Sequence, residues 1–314
     1  MKKYKPVSLK SVRSYALCSR KSKVSVKSSA GVHARGDSLK AFLKKLPDAF
    51  AAQDLRSVVS AIVSARKDGR PVILGMGAHP VKLGLSPVII DLMQKGIITA
   101  LATNGACAIH DFEMALAGHT SEDVGPELCT GTFGMAQETG RGLNQAINKG
   151  VKKGLGLGRA VGEHIVKNRF AHAGKSIFAA AYTLNLPLSV HVGIGTDIIH
   201  MHPEADGALT GKGSMADFRL FASVVADLEG GVYINLGSAV ILPEVFLKAL
   251  NVARNLGNIV TELTTVNMDF MQQYRPRENV LRRPTLMAGC NYALTGHHEI
   301  MFPLLAAAVL EELP

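Results

Sequence analysis

The sequence has no tryptophan, no acidic residue before Asp37, and no apolar run of the ~18 residues that a membrane-spanning helix requires. Its four cysteines show neither the Cys-x-x-Cys spacing of zinc sites nor the dense pattern of disulfide-stapled domains. Neither GxGxxG nor GxxxxGK[ST] occurs, which excludes the usual dinucleotide fingerprint and the P-loop. We therefore expect a cytoplasmic protein with reduced thiols and no membrane partner.

The excess of positive charge is confined to the first 36 residues. Ten basic residues and no acidic residue precede Asp37, whereas the other 25 basic residues balance all 25 acidic residues. The formal charge of +10 thus belongs to a basic arm, residues 1–36, and a pervasive nucleic-acid-binding surface is excluded. The arm lacks the apolar stretch of a secretory signal. Two further roles for residues 1–36 stay open, an organellar transit peptide and a segment that binds nucleic acid.

Residues 37–314 alternate apolar strands with amphipathic helices, which predicts an α/β fold with a doubly wound, mainly parallel sheet covered on both faces. The expected strands are 71–74, 97–102, 187–192, 231–236 and 259–266. No change of composition divides this region. We therefore expect a single domain with a glycine- and lysine-rich helical insert near 134–168.

Six loops, of which the first five follow predicted strands, are the expected ligand site, because ligands of open parallel sheets bind beyond the carboxyl ends of the strands. These loops hold small residues that let backbone N–H groups approach a phosphate. They also hold six of the 11 histidines, with carboxylates nearby, a combination that suits proton transfer near neutral pH. The loops are 75–84, 103–113, 193–202, 237–239, 264–269 and 295–299.

The run from Asn104 to Glu113 is the most informative of them. His110 and Glu113 are neighbours at i, i+3 on one helix face, and Asp111 lies between them in sequence. We interpret all three as catalytic proton-transfer groups. Favourable placement of Asp111 near the positive end of the helix is the structural alternative.

His200 is the fourth catalytic candidate. Together with His202 it falls on one face of an extended segment, a spacing that also suits a metal ion. Two spaced histidines are common by chance, and we predict no metal site.

The run from Gly75 to Leu116, which reads Gly-Met-Gly-Ala-His-Pro-Val-Lys-Leu-Gly and later Thr-Asn-Gly-Ala-Cys-Ala-Ile-His-Asp-Phe-Glu, resembles the first nucleotide-binding stretch of deoxyhypusine synthases. Thr196-Asp197, Leu236–Val240 and Phe302–Leu305 resemble later motifs of that family in the same order. The resemblance covers roughly residue 71 to the C-terminus.

This resemblance implies a Rossmann-like fold, NAD as the cofactor, a small-molecule amine such as a polyamine as the substrate, transferase chemistry and a homotetramer. It also implies a set of cofactor-binding positions, from the glycine turns at the phosphates to the residues beside the nicotinamide ribose and the adenine. These positions are Gly75, Gly77, Ala78, His79, Asn104, Gly105, Ala106, Thr196, Asp197, Gly237, Ser238, Thr264, Thr265 and His297.

The sequence departs from that family at its catalytic segment. The family's Trp-Gly-Lys supplies the lysine of a covalent imine, whereas the matching stretch, Arg275–Thr285, has Pro284 at the lysine position. A Schiff base requires an amine, so we do not expect deoxyhypusine synthesis. The run Asn104–Glu113 also resembles the Gly-Asn-Ala-x-Ala-x-His-Asp-x-Glu run of archaeal NAD-dependent ornithine cyclodeaminases, which implies amine or amino-acid oxidation without a covalent lysine.

We therefore expect an NAD-dependent enzyme that acts on an amine, polyamine or amino-acid substrate, by transfer, oxidation or deamination. In this hypothesis His110 or Glu113 takes the proton of the amine. The alternative is a catalytically inactive NAD-binding scaffold whose basic arm binds an acidic partner.

Overall fold

Six parallel strands form the centre of the computed structural model, which describes residues 3–313. They lie in the order β3-β2-β1-β4-β5-β6, so the sheet grows outward from β1 in two directions. This order confirms the predicted doubly wound α/β fold. The strands are β1 (Val72–Met76), β2 (Ala100–Asn104), β3 (Leu188–His191), β4 (Val232–Leu236), β5 (Thr264–Asp269) and β6 (Cys290–Thr295).

Helices fill the connections, and local sequence signals fix many of their ends. Ser38 caps the amino end of the first helix, because its side chain accepts a hydrogen bond from the backbone N–H of Ala41. The helices are α1 (Leu39–Lys45), α2 (Phe50–Lys67), α3 (His79–Lys82), α4 (Ser86–Gln94), α5 (Gly105–Ala117), α6 (Val124–Thr130), α7 (Gln137–Lys152), α8 (Leu157–Lys167), α9 (Ile177–Thr183), α10 (Gly207–Ala226), α11 (Ile241–Asn255), α12 (Tyr274–Pro276) with a π-helical continuation (Arg277–Arg282), and α13 (His298–Glu312).

The hydrophobic core is split by the sheet into two layers. In β1, Val72 and Leu74 pack into one layer, while Ile73 packs into the other. This alternation follows from the two-residue period of a strand. Both faces are apolar, as expected for a parallel sheet that is covered by helices on both sides.

Two strand predictions need correction. The apolar stretch 259–263 leads into β5 without pairing, and its buried Val260 and Leu263 pack into the helix layer, so the strand itself runs from Thr264 to Asp269. Thr264 and Thr265 therefore begin β5, at the amino ends of the strands and far from their carboxyl ends. The sixth strand was not predicted, because β6 is an edge strand with exposed polar positions such as Asn291.

The opposite edge of the sheet, β3, is closed by side chains of α10 instead of another strand. The Asp217 carboxylate accepts hydrogen bonds from the backbone N–H groups of Val190 (2.8 Å) and Gly158 (3.0 Å). Ser214 accepts from Val192 N–H and donates to the Val190 carbonyl. These contacts occupy backbone groups that an open edge strand would expose.

The arm makes little contact with the rest of the described chain. Hydrogen bonds that tie it to the body begin at Ser28, whose carbonyl accepts from Asp48 N–H, and at Gly31, whose N–H donates to the Lys45 carbonyl. Apolar side chains such as Tyr4 and Val7 are almost fully exposed. Met1, Lys2 and Pro314 lie outside the described residues. We propose that residues 37–314 fold as one unit to which the arm is attached.

Within residues 3–313, no helix combines the length and the apolar character that crossing a bilayer requires.

Asp217 predicts a specific pH dependence of stability. Burial raises the pKa of its carboxyl to about 7, above the value of 3.8 for an unperturbed Asp. The folded state therefore binds this proton more tightly than the unfolded state, and its stabilising effect is lost as pH rises from about 4 to about 7. The loss is on the order of 4 kcal/mol, because the shift is about three pKa units and each unit corresponds to about 1.4 kcal/mol.

Urea unfolding of the wild type and of Asp217→Asn across this pH range measures the effect. We expect the free energy of unfolding of Asp217→Asn to fall less steeply than that of the wild type. Asp227→Asn, an exposed carboxyl at the end of the same helix, is the matched control. If the free energy of unfolding falls with pH equally steeply in the wild type and in Asp217→Asn, then Asp217 is not the source of the pH dependence.

Candidate functional site

A cleft of about 680 Å³ opens beyond the carboxyl ends of β2 and β3. One face of α5, from Ala106 to Ala117, forms one wall. The start of α7 and the 119–122 segment form another wall, and the loop after β3 closes the side. Of the predicted site residues, the cleft brings together Ala106, His110, Glu113, Thr196 and Asp197.

A hydrogen-bonded array on the wall of the cleft joins His110 to Glu113 through Thr120. His110 Nδ1 lies 2.7 Å from Thr120 Oγ1, and the Thr120 hydroxyl donates to Glu113 Oε2. The other carboxylate oxygen, Oε1, accepts from the hydroxyl of Thr139 at 2.8 Å. Both oxygens of Glu113 are therefore engaged, which fixes the carboxylate in place.

The array selects the tautomer of His110. A carboxylate can only accept, so the single hydroxyl proton of Thr120 is committed to Glu113. Thr120 Oγ1 must then accept the proton of His110 Nδ1, and Nε2 is left as the unprotonated nitrogen of the neutral ring. Nε2 has no hydrogen-bond partner within residues 3–313, and His110 is one of the residues that line the cleft, so this nitrogen is uncommitted as a base.

The electrostatic surroundings keep His110 neutral near pH 7. Burial lowers its pKa below the usual 6.5, Lys82 lowers it further, and Glu113 opposes the shift. Four carboxylates line the cleft, those of Glu113, Glu122, Glu138 and Asp197, against one lysine among the described residues, Lys82. The cleft is therefore negative overall and favours a positively charged ligand.

Asp111 has a different role from its neighbours. It is fully buried, and it accepts hydrogen bonds from the Ser176 hydroxyl and from the backbone N–H groups of Ile177 (2.7 Å) and Phe178 (3.3 Å). It therefore holds the first turn of α9 against α5 and does not line the cleft. Burial raises the pKa of this carboxyl to about 6, although the three donors oppose the shift.

Asp197 faces the start of α5. Its carboxylate lies so close to Gly105 that no side chain could stand at that position. Oδ2 is buried and has no hydrogen-bond donor within residues 3–313, and burial raises the pKa of the group. An unsatisfied buried acceptor of this kind is costly unless a ligand or water supplies the donor.

His200 supports the loop that carries Asp197. Its Nδ1 accepts from the backbone N–H groups of Gly195 (3.1 Å) and Asp197 (3.3 Å). The imidazole therefore orders this turn, and it does not line the cleft.

A second group of predicted residues lies at the point where the strand order reverses, between β1 and β4. A Cβ at Gly77 would lie 2.8 Å from the carbonyl oxygen of Gly237, so the two turns touch through backbone alone. Gly237 has φ +63°, and a Cβ there would meet the His298 ring at 2.9 Å. Ala78 adjoins this contact, and the Ser238 hydroxyl accepts from Leu242 N–H at the start of α11.

His79, in the turn after β1, lies close enough to the cleft that one charge, that of Lys82, acts on both His79 and His110. Its ring packs edge-on against His298 at 5.6 Å between centroids. Its pKa is lowered by burial first, then by His298 and by Lys82, the same lysine that acts on His110. The turn after β1 and the cleft are thus adjacent parts of one edge.

Several predicted cofactor residues lie elsewhere or serve the fold. Gly75 is inside β1, beneath the hydroxyl of Tyr233. The Asn104 side chain accepts from Cys107 N–H and caps α5. His297 is exposed and stacks on Phe270, away from the cleft. Thr264 and Thr265 lie at the amino end of β5, a placement that does not support their predicted contact with a cofactor.

The described part of the chain contains no group of three His, Cys, Asp or Glu residues that could hold a metal ion.

The sequence pattern singled out neither Thr120 nor Thr139, and it placed Lys82 and His298 in the predicted site loops without assigning them a role. Thr120 and Thr139 reach Glu113 from 7 and 26 residues away, a distance that no local pattern encodes. His298 follows the predicted His297 directly, and only the start of α13 decides which of the two imidazoles turns inward.

The contrast between Asp111 and His110 predicts that the two substitutions lower the free energy of unfolding by different amounts. Asp111→Ala leaves three buried donors without an acceptor, so we expect the free energy of unfolding to fall by about 3 kcal/mol. His110→Ala removes one bond at the edge of the cleft and is expected to cost less than about 1 kcal/mol. Urea unfolding measures both, and equal losses would contradict the assignment of Asp111 to the fold.

Thr120→Val tests the array, because it keeps the shape of the side chain but removes the hydroxyl. Nδ1–H then loses its link to Glu113, which stabilises the imidazolium form. We expect the pKa of His110 to fall and the Nε2–H tautomer to become populated, as seen in long-range ¹H–¹⁵N spectra. Thr120→Ser keeps the hydroxyl and should titrate like the wild type. The same titration in Thr120→Val and wild type would disprove the array.

No protein-family model matches the chain, and no curated protein matches it in sequence. Solved structures do match. A LOR/SDH protein from Methanococcus maripaludis S2 superposes with a TM-score of 0.53 at 17% identity, over 83% of this chain and 70% of that one. An Entamoeba histolytica protein described as a deoxyhypusine synthase gives 0.52 at 12% identity, over 88% and 95% of the two chains.

AgrE, in its ternary complex with ornithine and NAD⁺, superposes with a TM-score of 0.51 at 13% identity. The match covers 83% of this chain but only 33% of AgrE, so the chain spans about a third of that protein. At these identities the likeness establishes the fold. The predicted resemblance to deoxyhypusine synthases is thus confirmed at the level of fold, and the chain has the doubly wound α/β fold that these proteins share.

Proposed function

We propose that this protein is an NAD-dependent enzyme that oxidises an amine-bearing substrate, a polyamine or an amino acid, in the cleft beside His110. The observation that carries the proposal is the array of His110, Thr120 and Glu113, which leaves His110 Nε2 as a free base. The base lies in a negatively charged cleft at the carboxyl edge of the sheet, where ligands of such folds bind.

The residues present fit NAD as the cofactor. Gly77 and Gly237 keep the edge between β1 and β4 free of side chains, which lets a dinucleotide cross it close to the backbone. Ala78, His79 and Ser238 flank this crossing. The unsatisfied Asp197 Oδ2 is suited to accept from a ribose hydroxyl or a carboxamide at the side of Gly105 and Ala106, with Thr196 adjoining.

The acidic lining supports an amine as the substrate. Glu122 and Glu138 lie on the cleft wall together with Asp197, so a protonated amine gains attraction from several carboxylates. Glu113 is held by Thr120 and Thr139, and its charge also favours the imidazolium that forms when His110 takes a proton.

The proton chemistry follows from this arrangement. Bound NAD would accept a hydride from the carbon that bears the amine. His110 Nε2 takes the proton of the amine, because its lowered pKa keeps it unprotonated near pH 7. Thr120 holds the ring in position, and Glu113 stabilises the charge that the ring gains. Asp111 fixes the helix and moves no proton.

Deoxyhypusine synthesis is not part of the proposal. Pro284 is buried, and its carbonyl accepts from Arg254 at 2.9 Å, so the position has a structural role and offers no amine. The related chemistry that remains is transfer, oxidation or deamination without a covalent lysine. The homo-oligomer, the tetramer implied by resemblance and the cytoplasmic location stay predictions.

Incubation of the protein with NAD and a panel of polyamines and basic amino acids, followed by the absorbance of reduced nicotinamide, tests the proposal. We expect NADH formation with at least one substrate, and a rate lower by ~10²–10⁴ in His110→Gln. NADH binding, followed by nicotinamide fluorescence, should be unchanged in that variant and at least ~10-fold weaker in Asp197→Asn.

Asp206→Asn, which keeps a helix-capping side chain outside the cleft, is the matched control for Asp197→Asn. If millimolar NADH gives no fluorescence change, the cofactor assignment is wrong. If NADH binds but no substrate is oxidised, the non-enzymatic scaffold is the better interpretation.

A further inference from the structure

A groove of about 480 Å³ lies on the exposed face of β6, apart from the residues that line the cleft. The π-helical turn Arg277–Arg282 forms one wall, and Asn291 and Ala293 of β6 form the floor. This wall belongs to the stretch that replaces the lysine segment of the resembled family. We refer to this cavity as the β6 groove.

The wall of the β6 groove is positively charged. Arg277 and Arg282 line this wall together with one carboxylate, Glu278. Glu278 already pairs with Arg282 (2.6 Å) and with Arg283 (3.7 Å), which does not line the groove. Arg277 is exposed and has no side-chain hydrogen bond or ion pair with any residue from 3 to 313. An entire guanidinium, with five N–H donors, is therefore uncommitted at the groove.

The floor adds further donors. One N–H of the Asn291 amide is bonded to Thr285 Oγ1 at 3.0 Å, so the second N–H is left over. Gln272 donates one N–H to Thr295 and accepts from Asn267 through its oxygen, which also leaves one N–H free. In a parallel ladder alternate backbone N–H groups face away from the partner strand, so those of residues 291 and 293 point to the open edge.

We propose that the β6 groove binds a small anionic ligand through a phosphate or carboxylate group, with Arg277 as its principal contact. The guanidinium fork matches two oxygens of either group and forms charge-assisted hydrogen bonds. Arg282 and the amides of Gln272 and Asn291 surround the same space. The chemistry is opposite to that of the cleft, whose carboxylates favour an amine, and it does not depend on the function proposed there.

Calorimetric titration of the full chain with inorganic phosphate and, separately, with succinate tests the proposal at constant ionic strength. We expect at least one of the two anions to bind, and its affinity to fall at least ~10-fold in Arg277→Ala. Whichever of the two titrations shows binding identifies the group that the groove recognises, phosphate or carboxylate. Spermidine, a cation, should show no change in affinity between wild type and Arg277→Ala.

Arg219→Ala, an exposed arginine on α10, is the matched control and should bind the anion like the wild type. Thermal unfolding and NADH titration of Arg277→Ala verify that the fold and the cleft are unaffected. The proposal is overturned if neither anion binds, or if Arg277→Ala and Arg219→Ala bind it equally well.

Discussion

The carboxylate of Asp111 accepts hydrogen bonds from Ser176, Ile177 and Phe178, and so joins α5 to the first turn of α9 inside the core. Successive helix residues point about 100° apart. Fixing Asp111 inward therefore turns His110 toward the cleft. Since α9 leads directly into β3, the same contact also positions the strand whose following loop carries Asp197. A structural carboxylate thus sets the geometry of both sides of the site.

The sheet explains why charges of opposite sign occur at separate places on a body that is neutral in sum. The carboxyl ends of β2 and β3 gather the acidic side chains of the cleft, while the uncovered face of β6 is bordered by arginines. The local charge of each region, and not that of the whole chain, is what a ligand there would meet. The +10 of the whole chain lies in the exposed arm and describes neither region.

Strand and helix periodicity predicted the architecture, because five of the six strands are apolar enough to be recognised from sequence. The β6 strand was not predicted, because exposed polar residues such as Asn291 interrupt the apolar run that identifies a buried strand. The i, i+3 spacing was sufficient to pair His110 with Glu113. It could not separate His110 from Asp111, since only the position of α9 in space makes one residue structural and the other accessible. Thr120 was unpredictable for the same reason: its contact is tertiary.

The proposed reaction requires that NAD and an amine meet at His110 in the cleft. Crystallography of the protein with bound NAD tests it most directly, through difference density for the nicotinamide ring. We predict that the ring lies in the cleft beside His110, with the pyrophosphate crossing at Gly77 and Gly237. Density that places the nicotinamide outside this cleft, with His110 facing only protein or solvent, would contradict it.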